Sequence, residues 1–144
     1  MSDNRQFCTF VIEDRWFGVE VEEVQEVIRY QDITRVPHAP EAVRGLINLR
    51  GQIVTAIDLR KRLGLPDPPN GRRPMNVVVR SETGPVSLLV DDIGDVIEVS
   101  DESFELAPDT LQRAGRDLIR GAYKLKDRLL LVLEMQKAVQ VGTL

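Results

Sequence analysis

The sequence holds one cysteine (Cys8), one histidine (His38) and one tryptophan (Trp16) in 144 residues. A single cysteine excludes an internal disulfide and suits a reducing cytoplasm. Cysteine and histidine together are too few to build a zinc site. Aromatic residues make up 5% of the chain, and the formal net charge is −4. Both facts weigh against nucleic acid, which rewards basic patches and stacking platforms, and against anionic membrane surfaces. No apolar run approaches the roughly 18 residues that a membrane-spanning helix needs. The N-terminal stretch MSDNRQF lacks the charged-then-apolar layout of a signal peptide. Glycine loops that cradle phosphate are missing too, since neither GxGxxG nor GxxxxGK occurs. What is left is a chain of globular composition, 42% hydrophobic and 29% charged.

The sequence repeats itself. Val21 to Ile28 reads VEEVQEVI, and Val90 to Ile97, starting 69 positions later, reads VDDIGDVI. Gly45 to Leu59 reads GLINLRGQIVTAIDL, and Gly121 to Met135, starting 76 positions later, reads GAYKLKDRLLLVLEM. Gly45 matches Gly121, Leu49 matches Leu125 and Asp58 matches Glu134. Two matches in the same order at similar spacing point to duplication. Units of roughly 65 to 75 residues are marginal alone, so two related lobes should pack together and leave a shared groove.

Local patterns predict mostly strands. FCTFVI (Phe7 to Ile12) is rich in aromatic and branched residues and is bounded by polar ones. A turn at Asp14-Arg15 leads to a returning strand, Trp16 to Val21. Glu22 to Ile28 reads as a strand with a bend, and Ile33 to Val36 as a short extended piece before Pro37 and Pro40 break regular structure. Leu46 to Leu49 and Gln52 to Ile57 form a hairpin around Arg50-Gly51, where glycine can supply the positive φ of a tight turn. Ile53, Thr55 and Ile57 should share one face, with Val54 and Ala56 on the other. Asp58 looks like the N-cap of a short helix, Leu59 to Leu63, stopped by Gly64. LPDPPNGRRP (Leu65 to Pro74), with four prolines, reads as the linker. Asn76 to Arg80, Val86 to Val90 and Asp92 to Val99 then repeat the plan. Arg128 to Leu133 is apolar on both faces, as a doubly buried strand would be, and Glu134 to Val139 closes with a helical turn. Many short strands with Gly and Pro turns argue for small barrels.

Catalytic chemistry finds few candidates. A nucleophile needs a base and an orienting group. His38 sits in the proline-framed loop VPHAP and reads as an exposed loop residue. Cys8 falls in a strand and reads as a small buried hydrophobe. The acidic doublets Glu22-Glu23, Asp91-Asp92 and Asp101-Glu102 place neighbours on opposite faces of a strand, which suits neither a shared proton nor a metal. Arg60-Lys61-Arg62 reads as a solvated helix face, and Trp16 as a core residue. The feature left over is an asymmetry between the repeats: Asn48-Leu49-Arg50-Gly51 in one copy, Lys124-Leu125-Lys126-Asp127 in the other. Arginine offers a planar fork of five donors that can fix a partner's orientation. Its plausible local partner is Glu26.

VEEVQEVIRYQDITRVPHAP (Val21 to Pro40), RGLINLRGQIVTAIDLRKRLG (Arg44 to Gly64), VDDIGDVIEV (Val90 to Val99) and IRGAYKLKDRLLLVL (Ile119 to Leu133) together resemble the CheW family of chemotaxis coupling proteins. The resemblance covers about residues 6–140. It implies a mainly β domain of two small five-stranded SH3-like barrels with short helices. Lobe one would run over about 14–64 and lobe two over about 75–140, joined by the linker 65–74, with terminal strands open to exchange between the lobes. It implies a non-catalytic, cytoplasmic adaptor without cofactor or metal, recruited to membrane-associated receptor arrays. The implied partners are the cytoplasmic tip of a chemoreceptor (a methyl-accepting protein) and the regulatory domain of the CheA histidine kinase. Val24, Glu26 and Arg50 match the family's receptor-side surface, with Asn48 and Gly51 forming the structural turn. Kinase contacts are expected at barrel ends, around Ile93, Val96 and Val99. Trp16-Phe17 and the proline-rich linker depart from the family pattern, so an alternative is a copy serving gliding or pilus-based motility. A tandem SH3-like nucleic-acid-binding protein and an enzyme with a cryptic carboxylate site are the alternatives from other classes.

Overall fold

Branched aliphatic residues at every second position set the backbone of this protein into strands. The computed structural model describes residues 4–68, 71, 73–100, 104–105 and 117–140. In chain order the strands are β1 (Asn4–Ile12), β2 (Arg15–Glu20), β3 (Val24–Ile28), β4 (Val43–Leu49), β5 (Gln52–Asp58), β6 (Met75–Ser81), β7 (Gly84–Val90), β8 (Asp92–Ser100), β9 (Phe104–Glu105), β10 (Ile119–Lys124) and β11 (Leu129–Leu133). One turn of 3-10 helix, Val21–Glu23, precedes β3, so the bend expected in Glu22 to Ile28 is a change of element. Two single-turn helices, α1 (Leu59–Arg62) and α2 (Met135–Ala138), follow β5 and β11. Asp58 caps α1 by accepting from the Lys61 backbone N–H at 3.3 Å.

The strands form two sheets, ordered β3-β6-β7-β5-β4 and β8-β1-β2-β11-β10-β9. The duplication reappears in this order. Replacing β3 by β8, β4 by β10, β5 by β11 and the β6–β7 hairpin by β1–β2 converts the first sheet into the second, with β9 added at one edge. Each sheet therefore combines a hairpin from one half of the chain with strands from the other. The joins are parallel: β5 runs beside β7 with Thr55 opposite Val86, and β11 runs beside β2 with Leu130 opposite Trp16.

Both faces of the central strands are buried, against different cores. Leu131 and Leu133 face a shared core with Phe10, Phe17, Ile57, Val77 and Leu88. Leu130 and Val132 face a smaller core with Phe7, Val99 and Tyr123. The other sheet has its own small core, built from Ile47, Leu49, Val54, Ala56, Val78 and Leu89. Two lobes sharing one seam are the result. Removing water from the shared seam is worth about 25 cal/mol per Å² of apolar surface, which explains why neither half needs to be stable alone.

Closed five-stranded barrels are not what the ladders form. Among the described residues, β3 and β4 are free edges of one sheet, and β8 and β9 of the other. Other contacts bridge the first gap: Thr34, in the β3–β4 connection, exchanges both backbone hydrogen bonds with Leu46 of β4 at 2.8 Å. Gly45 makes that approach possible. A Cβ there would overlap the Thr34 carbonyl oxygen and lie 2.8 Å from Ile33 Cγ2.

The expected solvated face of α1 is also corrected. Arg60 is buried and donates to Asp91 through Nε at 2.9 Å and Nη2 at 2.5 Å, and to the Pro66 carbonyl at 2.7 Å. Arg62 donates to the carbonyls of Lys137 at 2.5 Å and Ala138 at 3.3 Å, at the negative end of α2. The two arginines thus tie α1 to the second half of the chain. A matching pair recurs in each repeat: Arg44 meets Asp58 at 3.2 Å, and Arg120 meets Glu134 at 3.6 Å.

Candidate functional site

The hairpin β4–β5 builds the most distinctive surface feature. Leu49 and Gln52 pair across a two-residue loop, with φ of +53° at Arg50 and +88° at Gly51. Two left-handed residues in succession match the right-handed twist of the flanking strands. Asn48 locks the loop, its Oδ1 accepting the Gly51 N–H at 2.8 Å. Asn48 is thus a turn residue by contact, and Arg50 stands at the tip with 74% of its side chain exposed.

Arg50 points back across the sheet. Its Nη2 donates to Glu26 Oε1 on β3, whose side chain is mostly buried. Glu26 is placed by a bulge between Val24 and Glu26 in the β3–β6 ladder. Arg80 of β6 anchors the start of β3 by donating to the carbonyls of Glu22 at 2.9 Å and Val24 at 3.3 Å. Val24 is half-buried against the shared core and offers only part of its side chain. Glu26 and Arg50 are therefore in direct contact, with Val24 two positions along the same strand. Sequence reasoning left out two exposed apolar neighbours, Val27 at 38% and Ile53 at 61%. The signal for Ile53 was its place next to the turn, beyond the reach of either core.

The second repeat keeps these exposed apolar positions and changes the hairpin loop. Val96, 57% exposed, corresponds to Val27, and Leu129 corresponds to Ile53. Ile93 is half-buried against the shared core, and Val99 is buried beside Phe7 and Tyr123. Of these three residues on β8, Val96 presents its side chain to solvent. The loop of the second hairpin is wider, closed by Leu125 N–H to the Arg128 carbonyl at 2.8 Å. Arg128 lies over the Trp16 ring, 4.4 Å from its centroid. Trp16 packs half-buried against the small core of Phe7, Val99 and Tyr123, as a core residue would, with the Arg128 cation over its ring. Arg128 also pairs with Asp127 at 3.1 Å and holds that carboxyl below its ordinary range.

The remaining candidates for chemistry are structural. Cys8 is half-buried, and burial raises its thiol pKa, which keeps it protonated and unreactive. His38 is exposed, as its loop position suggested. Asp91 is engaged by Arg60 and its Oδ2 accepts the Glu13 N–H at 2.9 Å. Asp101-Glu102 lies outside the described residues. Among the described residues, no three of His, Cys, Asp and Glu gather into a group that could hold a metal, and no helix is long and apolar enough to cross a membrane.

Comparison with known proteins agrees with this architecture. The family model described as the CheW-like domain matches residues 6–142. The chain is 31% identical over 131 residues to the chemotaxis protein CheW of Rhizobium meliloti (strain 1021), covering 91% of this chain and 84% of that one. It is 31% identical over 129 residues to the chemotaxis protein CheW of Bacillus subtilis (strain 168), covering 90% and 83%. Among solved structures, the scaffolding protein TtCheW from Thermoanaerobacter tengcongensis superposes with a TM-score of 0.83 at 27% identity, covering 99% of this chain and 95% of that one.

Proposed function

Because the chain belongs to the family of CheW-like domains, we propose that its exposed hairpin and strand edges carry out the docking of that family's partners. The protein is a non-catalytic adaptor that links chemoreceptors to the CheA kinase in chemotaxis signalling. It works in the cytoplasm, recruited to receptor arrays at the membrane. Residues 6–140 act as one domain of two SH3-like lobes, and the lobe bounds read from the sequence, 14–64 and 75–140, give way to an exchange in which the β6–β7 hairpin joins β3, β4 and β5 while the β1–β2 hairpin joins β8, β10 and β11.

The receptor tip docks beside the β4–β5 hairpin, with Arg50 fixing its orientation and Val24 and Glu26 forming the adjoining strand surface. The observation that supports this most is the presentation of Arg50: a two-residue turn holds an exposed guanidinium whose one ion-pair partner among the described residues is Glu26. An arginine so placed adds little to stability, and a partner helix can engage it with a few apolar anchors alongside. The kinase regulatory domain docks at the β8 end of the other lobe, around Ile93, Val96 and Val99, with Val96 as the exposed contact. Each contact is modest in area, and repetition in an array supplies avidity. The coupling between receptor and kinase then needs only about 1–3 kcal/mol.

Titration calorimetry tests the division of labour. A receptor cytoplasmic fragment should bind the wild-type chain and lose affinity with Arg50→Glu, while the kinase regulatory domain binds both alike. Equal receptor binding by wild type and variant removes Arg50 from the site. Loss of kinase binding by Val96→Glu, with receptor binding kept, is expected in the converse experiment.

A further inference from the structure

Strand β3 changes face in its middle. Val24 lies opposite Val79, whose side chain belongs to the shared core, whereas Glu26 lies opposite Val78, whose side chain belongs to the small core of the first sheet. In a regular strand, residues two apart share a face. Gln25 is the extra residue of the bulge that breaks this rule. The bulge sends Val24 towards the shared core and turns Glu26 to the side of Leu49, the chain neighbour of Arg50. Without it, Glu26 would follow Val24 to the other face, and Arg50 would lose its ion-pair partner.

Arg80 holds the backbone just before that bulge. Its Nη1 donates to the Glu22 carbonyl at 2.9 Å and to the Val24 carbonyl at 3.3 Å, one in the 3-10 turn and one at the start of β3. A guanidinium nitrogen with two N–H groups can serve both acceptors. Little else fixes the strand there. No residue of β3 is fully buried, and among the described residues β3 pairs with β6 along one edge only. Arg80 is itself exposed, so it supports neither core.

We propose that Arg80 is a positioning residue for receptor docking: by pinning the start of β3 it keeps the bulge in register, aims Glu26 at Arg50 and so sets the direction of the Arg50 guanidinium. This rests on the reading of Arg50 as a receptor contact. Arg80 acts through β3 and Glu26, so its effect on binding vanishes once Arg50 is gone. Bulges re-aim side chains at functional sites in this way.

Titration calorimetry with a receptor cytoplasmic fragment tests the proposal on the wild type, Arg80→Ala, Arg50→Ala and the double variant. The kinase regulatory domain is titrated against the same four proteins, and circular dichroism checks the fold. The side-chain Nε–H resonance of Arg50, identified by its loss in Arg50→Ala, reports the ion pair in the free chain. Arg80→Ala should weaken receptor binding at least about fivefold, move the Arg50 resonance and leave kinase binding within about twofold. In the Arg50→Ala background it should add less than about twofold. An undiminished effect in that background, an unmoved Arg50 resonance, or an equal loss of kinase binding would each overturn the proposal. Receptor binding weakened by Arg50→Ala and unchanged by Arg80→Ala overturns the role of Arg80 alone. Receptor binding unchanged by Arg50→Ala overturns the reading of the site, and the proposal with it.

Discussion

Glu26 and Arg50 lie 24 positions apart, near opposite edges of one sheet, and their side chains meet in an ion pair. The contact spans the gap that the ladders leave open between β3 and β4. It also fixes the direction in which the one strongly presented arginine of the first hairpin points. The Glu26 side chain is 18% exposed and that of Arg50 74%, so the pair sits half in solvent and is worth roughly 0–1 kcal/mol.

Arg50→Glu therefore leaves the fold intact, with a loss of at most about 1 kcal/mol in a denaturant titration, and weakens receptor-fragment binding by tenfold or more, about 1.4 kcal/mol. The double exchange Glu26→Arg with Arg50→Glu recovers the stability and does not recover the binding. Recovery of both would make the pair a structural element only.

Gly45 and Gly51 should respond differently to a side chain. Gly51 has φ of +88° with open space around the missing Cβ, so Gly51→Ala costs about 1–2 kcal/mol of backbone strain and still folds. At Gly45 a Cβ meets the Thr34 carbonyl itself. Gly45→Ala has to break the Thr34–Leu46 pair, and thermal melts should show a far larger loss than for Gly51→Ala.

Arg60→Ala removes one partner of a buried ion pair: Asp91 keeps the Glu13 N–H but loses both guanidinium hydrogen bonds, and the Pro66 carbonyl loses its Arg60 donor. Breaking such a pair from one side costs about 3–5 kcal/mol. Arg60→Ala should be the most destabilising arginine substitution of α1, and equilibrium unfolding in urea compares it with Lys61→Ala, which should change stability by less than about 0.5 kcal/mol.

Glu23 carries a pH dependence. Burial raises its carboxyl pKa, and nearby Glu20 adds to the rise. A folded-state value above the unfolded one favours folding most fully below the ordinary value of 4.5, and that contribution is lost as pH climbs through the raised value. Glu23→Gln should raise the melting temperature at neutral pH and change it little below the ordinary carboxylate range. A fall at neutral pH would mean that the charged form of Glu23 is stabilising.

The strands and turns were legible because their signals are local. Alternation marked β5, Asp58 marked a cap, and Arg50-Gly51 marked a tight loop whose nearby acid was Glu26. Glu26 for Arg50 apart, partners distant in sequence were not legible. The string Arg60-Lys61-Arg62 reads as a solvated face because its acceptors come from Asp91, 31 positions on, and from the end of α2. Periodicity places a residue on a face without saying which sheet the strand joins, so the weaving of β1–β2 into the second-half sheet had no local cue. The two residues of β9 carry too little pattern to mark a strand. Closure of the sheets was expected from many short strands, whereas the edges are spanned by Thr34, Leu46 and the Glu26–Arg50 pair. Val24, Glu26 and Arg50 were marked as a surface by family resemblance, and apart from it Glu26 reads as no more than the plausible partner of Arg50.

Co-sedimentation bears most directly on the adaptor role. Receptor cytoplasmic fragments assembled on vesicles are pelleted with the CheA-type kinase, with and without this chain. The kinase should enter the pellet in quantity only when the chain is present, and the chain should bind each partner separately. A kinase that pellets equally in its absence, or a chain that stays in the supernatant with both partners present, contradicts the account.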